Sequence, residues 1–208
     1  MKKYNLKTVL SLFIVMLFAQ INYAQTITIG TQVWTSKNLD VSTYRNGDVI
    51  PQIQDLEAWR NLTTGAWCYY NNNASNGTKY GKLYNWYAVH DPRGLAPNGY
   101  HIPSDAEWTN LSAYLGGGAG TKMKSTSGWY NSGNGTNSTG FSGLPGGSRH
   151  PFNGQFYAID ESGNWWSFTE SKYDTENASY HILDRASGIL DKSNGNKHSG
   201  YSVRCIKD

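Results

Sequence analysis

Gly99-Tyr-His-Ile-Pro-Ser-Asp-Ala-Glu-Trp108 is the stretch from which the rest of this chain can be read. Ser104 suits a helix N-cap, Glu107 stands three residues on as its reciprocal partner, and Trp108, Leu111 and Leu115 follow on one helical face. Gly116-Gly-Gly118 then stops the helix. Asp105 and Glu107 could be read as paired acids for proton transfer. The capping box accounts for the glutamate, however, and the positive end of the helix for the aspartate.

Upstream, Leu83, Trp86 and Tyr87 fall at i, i+3 and i+4 within Tyr80-Gly-Lys-Leu-Tyr-Asn-Trp-Tyr-Ala-Val89, which predicts a second short helix. Asn71 to Thr78 is polar and glycine-bearing and reads as a surface loop. Thr26-Ile-Thr-Ile29, Gly30 and Gln32-Val-Trp34 read as an opening hairpin. Asn46-Gly47, between Thr43 and Ile50, predicts another with a type I′ turn. Beyond residue 118 come short strands between Gly, Asn and Ser turns, ending in an alternating strand, Tyr201-Ser-Val-Arg-Cys205. Helices early and strands late predict an α+β domain with two short helices and antiparallel sheets, rich in loops.

The first 24 residues read as a secretion signal: Lys2, Lys3 and Lys7, an apolar run from Val9 to Ala19 too short to span a bilayer, and Ala24 before Gln25. No cysteine follows the leader, which argues against a lipid anchor. Of the formal net charge of +3 over 208 residues, the leader supplies all three positive charges, so residues 25–208 are neutral. Such a domain lacks the basic footprint of a nucleic-acid binder or of a protein held on anionic lipid. All eight tryptophans and 23 glycines lie after residue 24, which suits one loop-rich extracellular or periplasmic domain. Cys68 and Cys205 are the only cysteines, and in an oxidising compartment they are expected to form a disulfide worth about 5 kcal/mol; a redox or metal pair is the alternative.

Little else points to chemistry. The five histidines show no zinc spacing, and Asp160-Glu-Ser-Gly-Asn164 lacks the ligand pattern of an EF-hand loop. The Gly116–Lys122 run has the wrong spacing for a phosphate loop, and no Gly-x-Ser-x-Gly elbow occurs. Glu170, close to Trp165 and Trp166, reads as a buried hydrogen-bond acceptor. The aromatic residues remain. Trp34, Trp86, Trp108, Trp165 and Trp166 are assigned to the core, whereas Trp129, Tyr130, Phe152, Phe156 and Tyr157 lie in turn-rich segments and are the candidate ligand contacts.

Three tracts, Tyr80–Val89, Gly99–Trp108 and Gly200-Tyr-Ser-Val-Arg-Cys205, stand together with Leu144-Pro-Gly-Gly-Ser-Arg149 and Trp165-Trp-Ser-Phe-Thr-Glu170. In this order they resemble the Fibrobacter succinogenes major paralogous domain family over nearly all of residues 26–208. The resemblance implies a secreted domain with a C-type-lectin-like fold. The helix tract is also similar to that of formylglycine-generating enzymes, whose copper chemistry needs a close pair of reactive cysteines. Here the two cysteines lie in opposite thirds of the chain, and the order of the later tracts differs, so the resemblance carries the fold and not the catalysis. The implied function is a non-enzymatic binding or adhesion module, with a glycan as leading ligand and a cell-surface protein as the other partner. The alternatives are an enzyme derived from the formylglycine-generating scaffold and a surface protein recognising protein partners. No metal or cofactor is expected, with calcium held by loop carbonyls left open.

Overall fold

The computed structural model describes residues 25–208, so the expected leader lies outside the described residues. The domain is α+β. β1 (Thr26–Ile29) and β2 (Gln32–Thr35) form the expected hairpin and join β11 (Ile206–Lys207) and β5 (Tyr100–His101) in a four-stranded sheet of order β1-β2-β11-β5. The second sheet contains β6 (Gly146–Arg149), β7 (Phe156–Ile159), β8 (Ser162–Glu170), β9 (Asn177–Asp184) and β10 (Asp191–Asn196) in the order β10-β9-β8-β6-β7. Its pairs are antiparallel except β6 with β8, which meet in parallel at Gly147 and Gly163. β3 (Trp67–Cys68) and β4 (Leu83–Tyr84) pair separately.

Five short helices occur among the described residues, in place of the two expected: α1 (Leu56–Arg60), α2 (Ala74–Tyr80), α3 (Trp86–Val89), α4 (Asp105–Leu115) and α5 (Ala119–Met123). α4 carries the complete capping box, buries Trp108, Leu111 and Leu115, and ends at Gly116 with φ 63°. α2 replaces the loop expected over residues 71–78. Asn73 caps it, and Gly77 lies so close to the Tyr69 ring that an added Cβ would come within 2.2 Å. The helix expected over Tyr80–Val89 is broken: Gly81 turns at φ 74°, Leu83–Tyr84 pairs with Trp67–Cys68, and Asn85 caps a new turn at α3.

The Asn46-Gly47 turn also differs from expectation. Only Gly47 has positive φ, at 93°, and its N–H bonds Tyr44 O, as in a turn closed by a left-handed residue. At the C-terminus, Tyr201 and Ser202 make single bridges to Tyr84 and Trp165 rather than a continuous strand.

Three clusters make up the core. Trp34, Trp108, Trp165, Phe141 and Trp129 fill one, with Trp34 and Trp108 4.7 Å apart; Trp86, Trp166 and Tyr84 anchor a second; Trp59, Tyr70 and Leu83 a third. The five tryptophans assigned to the core are all buried.

The expected disulfide is absent. Cys68 sits in the third cluster on β3. Cys205 sits in the second, its backbone bonded on both sides to Thr35. Both are free and buried, and burial pushes both thiols up to about 12.

Candidate functional site

The β6–β7 connection carries the most exposed of the expected contact residues. Pro151 and Gly154, at φ 62°, turn the chain between His150 and Gln155. His150 N–H bonds Gln155 O at 2.8 Å, and Gly154 N–H returns to His150 O at 3.1 Å. Inside the turn, His150 Nδ1 faces the N–H groups of Phe152 and Asn153 at 3.3 and 3.4 Å. Accepting from them leaves Nε2 to carry the ring proton.

Phe152 and Tyr157 flank this imidazole edge-on, with ring centroids at 5.8 and 5.7 Å, and are 66% and 44% exposed. Asn153 Nδ2 donates to Tyr157 Oη at 3.0 Å, and that hydroxyl donates to Gln155 Oε1 at 2.8 Å. Two apolar rings therefore lie beside a row of amide and hydroxyl groups. Such a surface can stack on a sugar face and bond its hydroxyls.

Strand alternation decides what Phe156 does. It points opposite to Tyr157, packs 5.3 Å from Tyr70 and lies under the Arg149 guanidinium, so its ring is turned toward the third core cluster and away from Tyr157. Arg149 is fully buried between Trp59 and Phe156. Its Nε holds Gly154 O at 3.0 Å, and its Nη atoms hold Ile53, Gln54 and Asp55 carbonyls at 2.6 to 3.1 Å.

Trp129 is buried, contrary to the expectation that it lies exposed in a loop. It is 5% exposed, because its indole N–H finds Ser125 Oγ and Gly143 O at 3.0 and 3.1 Å inside the first cluster. Tyr130 is 62% exposed but sits at the other end of β7, its N–H bonded to Asp160 O and its ring beside Arg185. Glu170 is also not as expected: half exposed, it pairs with Lys197. The structure thus gathers Phe152 and Tyr157, adds His150, Asn153 and Gln155, and separates Trp129, Tyr130 and Phe156 from them. The added residues had a visible signal, a polar side chain alternating with aromatics around Asn153-Gly154.

Two clusters of titratable groups lie elsewhere. His101 bridges Asp208 and Glu107 at 2.7 Å to each, beside an apolar hollow of about 330 Å³ lined by Val89, Leu95, Ile102 and Phe168. Burial lowers the His101 pKa, but the bonds to Asp208 and Glu107 outweigh it and the net shift is upward. On α4, Asp105 meets buried His181 at 3.3 Å and Lys192 at 2.5 Å. Although burial alone would raise its pKa, these bonds hold the Asp105 carboxyl well below the usual range. Burial keeps the His181 pKa low despite Asp105. His181 stacks on Trp108, whose indole N–H has no partner. Among the described residues no group of three or more His, Cys, Asp or Glu side chains could hold a metal ion.

The fold is an α+β domain with two exposed aromatic side chains on a hairpin whose turn is held by a buried arginine. The family model described as the Fibrobacter succinogenes major domain matches residues 27–207, and the chain belongs to that family. No curated protein and no solved structure matches it.

Proposed function

We propose that this chain is a secreted, non-enzymatic binding module that holds a glycan on the shelf formed by Phe152 and Tyr157 around His150. The observation that carries this reading is the pair of exposed rings flanking His150, one of them joined to Asn153 and Gln155 by its hydroxyl. The buried arginine beneath the turn supports it, since a contact surface fixed before binding loses less entropy on association. The lectin-like architecture implied by the sequence resemblance is consistent with it. The cysteines speak against the alternative enzyme. They sit in different core clusters, and thiols pushed up to about 12 are protonated at neutral pH, unlike a reactive copper-binding pair.

The test is a glycan-array measurement on the purified protein beside a Phe152→Ala/Tyr157→Ala variant. Selective binding by the wild type that disappears in the folded variant supports the shelf. Binding unchanged in the variant, or no glycan bound by folded wild type, refutes it.

A further inference from the structure

A second site stands apart from the shelf and shares no residue with it. A cleft of about 660 Å³ opens between the segment following β2, the end of α2 and the turn around Ser142, with Arg204 among its lining residues. Arg204 is 1% exposed and rests 4.4 Å from the Phe141 ring. Its Nε donates to Asn38 Oδ1 and its Nη1 to Thr35 O, each at 2.7 Å, while Nη2 has only a long 3.4 Å contact with Ser142 O. Asn38 and Ser142 both line the cleft, so the guanidinium lies against its floor.

Every one of these partners is neutral, and among the described residues no carboxylate pairs with Arg204. Burial brings its pKa down to about 9, so it stays charged at neutral pH. Arg149, the other buried arginine, is served by four carbonyls. Arg204 keeps N–H capacity in reserve.

The walls repeat the sign. Lys37 and Lys79 line the cleft, and the one acid there, Asp40, is taken by Lys82 at 2.6 Å. An anion entering is drawn by all three cations, and a buried cation without a countercharge gains most from one. A carboxylate matches the planar guanidinium fork. The remaining walls include the Ser36, Thr78 and Ser142 hydroxyls, which can bond those of a sugar ring. We propose that this cleft binds the carboxylate-bearing ring of an acidic sugar.

The probe is galacturonate, with neutral galactose as control, titrated into isotope-labelled protein and read at the Arg204 Nε–H resonance. Galacturonate is expected to shift that resonance saturably while galactose leaves it in place. Because Arg204 also ties Thr35 to Ser142, its own replacement risks unfolding. The paired variant is therefore Lys37→Ala/Lys79→Ala, which should weaken galacturonate by about tenfold. No movement at Arg204 up to about 20 mM galacturonate, an equal response to galactose, or unchanged affinity in the lysine variant would overturn the proposal. Loss of shelf binding in the Phe152/Tyr157 variant leaves this result untouched, so the two readings fail separately.

Discussion

Replacing Arg149 with Met tests whether the shelf depends on the brace beneath it. Methionine keeps much of the apolar stem between Trp59 and Phe156 and removes the guanidinium. Gly154 O, at a buried residue, and Ile53 O, at a half-buried one, then lose donors in a place water reaches poorly, at about 1–2 kcal/mol each. Gln54 and Asp55 are exposed residues whose carbonyls can turn to solvent at little cost. Loss of the cation over two rings adds about 1 kcal/mol, and relief from burying a charge returns part of it. The expected net loss is about 3 kcal/mol, or roughly 6–12 °C in Tm for a domain of this size. Urea unfolding followed by tryptophan fluorescence measures it, and an unchanged m-value would place the effect on stability. Glycan binding should fall in the fraction that remains folded, because Gly154 O is released and the turn carrying Phe152 loses its anchor. A loss below about 1 kcal/mol with binding intact would refute the brace.

The cysteines give a chemical test: at pH 8 neither should react with iodoacetamide in the native protein, and both should react once unfolded without prior reduction. Two thiols that stay blocked in denaturant until reduced would refute the separation of Cys68 from Cys205. Stability should vary with pH in opposite senses for two histidines. The lowered pKa of His181 means the unfolded chain takes its proton first, so stability declines as pH falls below about 6.5. The depressed Asp105 carboxyl adds a further loss below about pH 4. The raised pKa of His101 contributes stability that is present below about pH 6.5 and lost as pH rises through its folded value. Urea midpoints from pH 4 to 9 should therefore flatten on the alkaline side in His101→Gln, and an alkaline slope identical to wild type would refute that assignment.

What the sequence makes legible is whatever is decided within a few residues. The α4 capping box and the β1–β2 hairpin follow from side chains that satisfy neighbouring backbone groups, and both form as read. α2 does not follow from its own composition. Its seven residues include Ser, Asn and Gly, and what holds them helical is the buried Tyr80, the Asn73 cap and the Tyr69 ring closed over Gly77. Trp129 looked like a surface residue because glycine and serine surround it. Those same small residues let the loop fold back until the indole N–H reached Ser125 and Gly143. The exposure of Phe152 and Tyr157 was readable from a turn sequence, but the part played by His150 depends on two backbone N–H groups reaching its ring, which no spacing rule encodes.

The two arginines extend this argument to function. In the sequence, Arg149 closes one of the tracts that resemble the family and Arg204 stands next to last in another. In the structure each ties together segments far apart in the chain, Arg149 joining β6 to the residues before α1 and Arg204 joining the C-terminus to β2 and the Ser142 turn. The identifying motifs are therefore joints of the scaffold. The proposed shelf lies immediately after one joint and the proposed anion cleft opens over the other; at the first the arginine only braces the turn, whereas at the second the arginine itself supplies charge to the cleft floor.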